Sequence, residues 1–177
     1  GCFLERQALM VRNSDSYATL MHESEKAHLQ SVQLSDGNTA EPLVNLASLL
    51  WRQKKHSNAW EYLRKAYELE PNSHKTVSTC ALFVHDRYIL QWNASNDAGH
   101  GDEILKTEGM KQLAELGDKL YKKALKMDSS NLHMVQQYVK FANEVLRSPE
   151  IARAWQKHAD QLILEQSPPK GQDESKQ

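Results

Sequence analysis

Residues 40–73 read AEPLVNLASLLWRQKKHSNAWEYLRKAYELEPNS. The first half places Leu43, Leu46, Ala47 and Leu50 at i, i+3, i+4 and i+7, one face of a helix. The second half places Ala59, Leu63 and Ala66 on another, and Pro71 stops that helix because its ring cannot continue the backbone ladder. Between them lies Lys54-Lys55-His56-Ser57-Asn58, a polar turn in which Ser57 or Asn58 is the expected cap of the second helix. Two short amphipathic helices joined by a short turn form a hairpin. A single hairpin cannot bury both of its apolar faces, so more of the same is to be expected along the chain.

The order of sizes in this stretch is specific. It runs large–x2–Leu–small–x2–large, then Ala–x3–large–x2–Ala, then Pro, and it resembles the tetratricopeptide repeat signature. Leu43 stands where that signature has Trp, and Ala47 where it has Gly; both keep the size logic. The small residue lets the two helices approach, and the large ones fill the space beside it.

The period extends the resemblance. Val77 follows Leu43 at the family's repeat length, and Cys80, Ala81 and Val84 repeat the small-and-large order of the first helix. Gly117, Tyr121 and Ala124 then mirror Ala59, Leu63 and Ala66, but late. Gly117 is 33 beyond Val84 where Ala59 is 9 beyond Leu50, an insertion of 24. A third hairpin should therefore begin one period plus that insertion after Val77. Val135 stands there, followed by Tyr138, Val139 and Ala142, with Ala152 and Ala159 marking its second helix after one extra residue. The expected fold is all-α: an α-solenoid of about three hairpins, over 40–73, 74–131 and 132–166, with an N-terminal helical cap and an insertion in the second repeat. The insertion's irregular part is expected over 93–108, since Asn93-Ala94-Ser95-Asn96-Asp97-Ala98-Gly99-His100-Gly101 has loop composition. Helices are expected to lengthen on both sides of it, through Phe83, Tyr88 and Trp92 before and Ile104, Leu105, Leu113, Leu116 and Leu120 after.

Residues 1–39 form the expected cap and linker. Ser14 or Asp15 can start a helix running to about Gln33, residues 3–12 can form another, and Ser35-Asp36-Gly37-Asn38 is a linker. Such a segment would cover the open face of the first hairpin, as repeat arrays require. From Ser167 the polar tail after Pro168-Pro169 is expected to be disordered.

Composition excludes several function classes. With 22 Lys+Arg against 23 Asp+Glu the formal net charge is -1, without the basic excess of nucleic-acid binders, so no nucleic acid is expected as partner. No apolar run reaches the length of a membrane span, and no basic-then-apolar leader is present, so membrane association is not expected. Gly1-Cys2 suggests an acylated terminus, but Glu5 stands where the myristoylation pattern wants Ser or Thr. Cys2 and Cys80 are the only cysteines, one terminal and one within an apolar helix pattern, which favours a reducing, intracellular setting over a disulfide.

Eight histidines offer no recognisable chemistry. HExxH, CxxC, a Gly-rich phosphate loop and a nucleophile elbow are all missing. His22 and His28 are six apart and do not share a helical face; His85 and Asp86, adjacent on a helix, point about 100° apart. His100 between two glycines reads as an exposed loop residue, as does Asn93 in its Asn-Ala-Ser acceptor pattern. Ser148-Pro149 and Ser167-Pro168 are weak phosphorylation patterns. No enzyme activity, cofactor or metal is expected.

What the resemblance implies is recognition of another protein. In tetratricopeptide arrays the first helices line a concave groove that holds an extended peptide or a helix. The lining positions here would be Val44, Ser48, Trp51 and Arg52; Lys75, Ser78, Leu82 and His85; and His133, Gln136, Lys140 and Asn143. Of these, Trp51, Arg52, Lys75, His85, His133 and Lys140 are the candidate partner-binding residues, with Trp51 the expected anchor and a partner carrying some acidic residues. The lysine and asparagine with which one branch of the family clamps chaperone tails are replaced at the matching positions by Val44 and Ser48, so that clamp is not expected. The alternative is a structural subunit or assembly factor of a large complex, docked through the insertion and helix edges.

Overall fold

The computed structural model describes residues 14–166. The helix expected over 3–12 and the tail from Ser167 lie outside the described residues. Among the described residues there are eight helices and no strand: α1 Ser14–Leu34, α2 Ala40–Arg52, α3 His56–Leu69, α4 His74–Asp97, α5 Gly101–Ile104, α6 Glu108–Met127, α7 Leu132–Glu144 and α8 Pro149–Gln166. Consecutive helices pack on one another as hairpins, the construction of an α-solenoid. The packing resolves into two units, one ending at Phe83 and the other beginning at Val84, so the boundary falls within α4.

In the first unit α2 and α3 form the hairpin written in residues 40–73. Leu43, Leu46, Ala47 and Leu50 are buried on α2, and Ala59, Leu63 and Ala66 on α3 have no exposed surface at all. Alanine at positions 59 and 66 is what permits the close crossing. Leucine at either should overpack it at a cost of about 1–3 kcal/mol; unchanged melting temperatures for Ala59→Leu and Ala66→Leu would mean that the register is misread.

The turn is tighter than its polar composition suggests. Lys54 N–H donates to Trp51 O at 2.9 Å and Lys55 N–H to Leu50 O at 2.9 Å, the paired bonds that close a helix C-terminus around a left-handed residue, here Lys54 with φ +61°. Only three residues remain between the helices, so α3 restarts at His56. Ser57 and Asn58 are therefore first-turn residues of α3, and the cap position falls on Lys55, whose side chain makes no capping bond. α1 lies against α2, with Met21 and Leu49 buried together and Leu20 packed on them, as the expected cap requires.

α4, whose later part belongs to the second unit, and α6 are lengthened, at 24 and 20 residues, against 13 and 14 for α2 and α3. The insertion thus elongates its hairpin rather than adding one. Its irregular part is shorter than expected: residues 93–97 continue α4, and the chain leaves the helix at Gly99, φ +81°. Asn, Ser and Asp are only mediocre helix formers, whereas Gly99 adopts a conformation a helix cannot contain. Asn93 consequently sits exposed on a helix and not in a loop. After the single turn of α5, Thr107 caps α6 by accepting the Met110 N–H at 3.4 Å. Of the positions set by the closed period, Gly117, Tyr121 and Ala124 on α6, Val135, Tyr138 and Ala142 on α7, and Ala152 and Ala159 on α8 are interior, while Val139 on α7 is half-buried.

Candidate partner-binding surfaces

The first unit presents less of its first-helix face than the sequence implied. Val44 is 1 % exposed, and Ser48 is half-buried with its hydroxyl donating to Val44 O at 2.9 Å. Trp51, the expected anchor, is half-buried and stacks on Phe83 of α4 with ring centroids 4.3 Å apart and planes at 27°; the His56 ring meets it edge-on at 4.4 Å. Its large ring area is spent on joining α2 to the start of α4. Arg52, next along the chain, is exposed. Lys75 is exposed too, but its ammonium lies 2.7 Å from Glu41 Oε1, and this hydrogen bond, with the lysine's charge, holds the Glu41 carboxyl below its ordinary value. Glu41 and Lys75 stand 34 residues apart, so equivalent positions of successive hairpins face each other. Ser78 is buried beside His74, and Leu82 is half-buried.

His85 lies one period after Trp51, and like it is turned inward. Its ring is 3 % exposed in the second unit, packed edge-on against Phe141 at 5.2 Å. Both ring nitrogens are engaged, Nδ1 with Tyr121 Oη at 3.2 Å and Nε2 with Glu144 Oε2 at 3.1 Å. A carboxylate can only accept, which puts the proton of the neutral ring on Nε2; Nδ1 then accepts from the tyrosine hydroxyl. Burial pushes the His85 pKa below the ordinary 6.5; Glu144, and more weakly Asp86, oppose that, while Lys140 adds to it. Burial likewise pushes the Tyr121 phenol well above its usual range, and Tyr121 has no exposed surface. A tyrosine–histidine–carboxylate chain could relay a proton, but here no substrate atom can reach its inner end. It fastens α4, α6 and α7 together instead. His85 as a surface contact is thus corrected: ring burial and two internal hydrogen bonds occupy it.

Among the described residues, the first-helix row that remains wholly open is on α7. His133, Gln136, Lys140 and Asn143 are all exposed, while Met134, Val135, Tyr138, Phe141 and Ala142 on the other side are buried. Lys140 Nζ lies 3.9 Å from Glu144 Oε2, a loose i,i+4 pair that contributes little in water. Deeper in the same unit Tyr138 donates to Asp118 Oδ1 at 2.6 Å, and Lys122 holds the other oxygen at 2.6 Å.

Among the described residues no three His, Cys, Asp or Glu side chains come together as a metal site. His100 is exposed and pairs with Glu103 at 3.2 Å. No described helix is long and apolar enough to cross a membrane.

The residues that sequence reasoning missed are those whose roles are set by partners far along the chain: Phe83 under Trp51, and Tyr121, Phe141 and Glu144 around His85. The period itself held one signal, since Trp51 and His85 stand one repeat apart and both are inward-facing rings.

Comparison with known proteins bears on the first hairpin. Residues 40–73 match the tetratricopeptide repeat family, over the stretch whose helix pair and buried alanines are described above. That family generally serves as a protein–protein interaction module and is generally non-enzymatic. No curated protein matches the chain.

Proposed function

We propose that this chain is a non-catalytic scaffold that holds a peptide or helix of another protein against the outward faces of its first helices. The open row His133, Gln136, Lys140 and Asn143 on α7 carries the proposal: it is a first-helix face that the fold leaves uncovered. Arg52 and Lys75 would add cationic contacts in the first unit. Arginine is a frequent hot spot of interfaces, whereas exposed lysines chiefly steer association, so a partner segment with some acidic residues fits best. Trp51 supports the surface by fixing α2 on the start of α4, and its removal would disturb stability together with binding.

A second reading has its own observation. Leu90 and Leu116 are large apolar side chains left exposed on the lengthened hairpin, with Trp92, Ile104 and Leu105 half-buried nearby in sequence. That favours a complex subunit docked through the insertion. Partners captured from native cells by cross-linking separate the two. Lys140→Glu combined with His133→Ala should weaken binding of the captured partner at least about tenfold, or ~1.4 kcal/mol. If those substitutions change nothing while deletion of residues 95–101 abolishes binding, the insertion is the docking element and the first-helix reading is wrong.

A further inference from the structure

A second recognition feature lies in the first unit, next to Arg52 of the surface above. Where α1 passes the α2–α3 turn there is an open cleft of about 430 Å³. One wall comes from α1, with Tyr17, Ala18, Met21, His22 and Glu25; the other is Arg52, Gln53, Lys54 and Lys55. Met21 is part of the small core it shares with Leu49, and Tyr17 is a large ring left exposed beside it, so the cleft has an apolar side.

Its charge is one-sided. Among the described residues, Arg52, Lys54 and Lys55 line it against one carboxylate, Glu25, in a chain whose overall balance is -1. That carboxylate is already engaged, since Lys55 Nζ donates to both its oxygens at 2.9 and 2.7 Å. Lys54 has an unusual backbone. It occupies the left-handed position that closes α2, where glycine is the ordinary choice, and the bonds from Lys54 and Lys55 to Trp51 and Leu50 hold it there. A rigid helix end therefore sets where this lysine leaves the backbone, which lowers the ordering cost of a contact.

We infer that this cleft takes an acidic segment of a partner protein, one apolar side chain lying against Met21 and Tyr17 and a flanking carboxylate facing Lys54. The inference rests on the reading of the chain as a module that holds polypeptide and adds a second place of contact. A nucleic acid fits less well, because the cleft is small and mostly apolar and the chain as a whole is not basic.

The test uses the full chain and fluorescence anisotropy. The probe is a labelled short peptide of glutamates around one central leucine, with the same peptide bearing lysines, and a single-stranded oligonucleotide, as comparisons. The acidic peptide should bind, more weakly as salt rises, and Lys54→Glu should raise its Kd at least about tenfold. Lys54→Gly should weaken binding severalfold with the melting temperature unchanged or raised, since glycine suits the left-handed position better; loss of binding then cannot be put down to unfolding. Lys157→Glu, at an exposed position of the second unit that belongs to neither surface, should leave this binding alone. No binding of the acidic peptide, equal binding of the lysine peptide or the oligonucleotide, or indifference to Lys54→Glu overturns the inference. So does loss through Lys140→Glu, which would place the peptide on α7 and leave the proposed function standing without the cleft. A cleft occupied by a second copy of the chain would show instead as a concentration-dependent mass that Lys54→Glu abolishes, with no peptide binding, and that too overturns it.

Discussion

Truncating Phe141 to alanine is expected to cost about 3–5 kcal/mol of stability, the upper range for a buried aromatic. The ring has no exposed surface and lies 5.0 Å from Tyr121 and 5.2 Å from His85, centroid to centroid. It also rests on Gly117. A Cβ built at that glycine would sit 2.6 Å from Phe141 Cζ and 3.4 Å from Val84 Cγ1, so the helices α6 and α7 approach closely here because position 117 has no side chain. Alanine is a better helix former than glycine by roughly 1 kcal/mol, yet Gly117→Ala should destabilise by about 1–3 kcal/mol, because the ring it meets is itself enclosed. The two changes should not add. In the Phe141→Ala background the Gly117→Ala methyl enters vacated space and should cost little or restore some stability. Denaturant unfolding of the single and double variants measures this coupling; simple additivity would show that Gly117 and Phe141 are not in contact.

The chain Tyr121–His85–Glu144 should give the second large effect. His85→Ala removes a buried ring and leaves the enclosed Tyr121 hydroxyl without its acceptor, an expected loss of about 3 kcal/mol or more. Tyr121→Phe removes the donor alone and should cost about 1–3 kcal/mol. The pH dependence has a definite sign. The folded-state pKa of His85 lies below the ordinary 6.5, chiefly through burial. Between those two values the unfolded chain binds the proton and the folded chain does not, so protonation favours unfolding. The contribution of His85 is therefore fully kept above the ordinary value of 6.5 and falls as the pH drops from there toward the lowered one. Protonation also turns Nδ1 into a donor facing the Tyr121 hydroxyl, which then loses its own acceptor. Melting temperatures of the parent chain and of His85→Leu, compared from neutral to mildly acidic pH, isolate this from the other histidines. A parent curve parallel to that of the variant would refute the linkage.

Whatever depends on local periodicity and size was legible in the chain alone. The apolar spacing of residues 40–73 specified two helices, Pro71 ended the second, and Ala59, Leu63 and Ala66 named its buried face. The closed period placed Gly117, Tyr121, Ala124, Val135 and Ala159 in the interior, because helix pairs of one design must present small and large residues in one order. Three things belonged to the tertiary structure. Where a helix ends is settled by backbone hydrogen bonds as much as by composition: α4 runs on through Asn93 to Asp97, short of Gly99, and the tight closure at Lys54 displaced the cap from Ser57. Which first-helix residues face solvent depends on what else packs there: α1 lies along α2, and Phe83 covers Trp51, so residues chosen by helical angle alone were half-covered or buried. And whether a polar residue contacts a partner or a neighbour depends on groups remote in sequence. Glu144 is 59 residues from His85 and Tyr121 is 36, distances at which a local pattern carries no signal, yet their hydrogen bonds decide that this histidine holds the fold together.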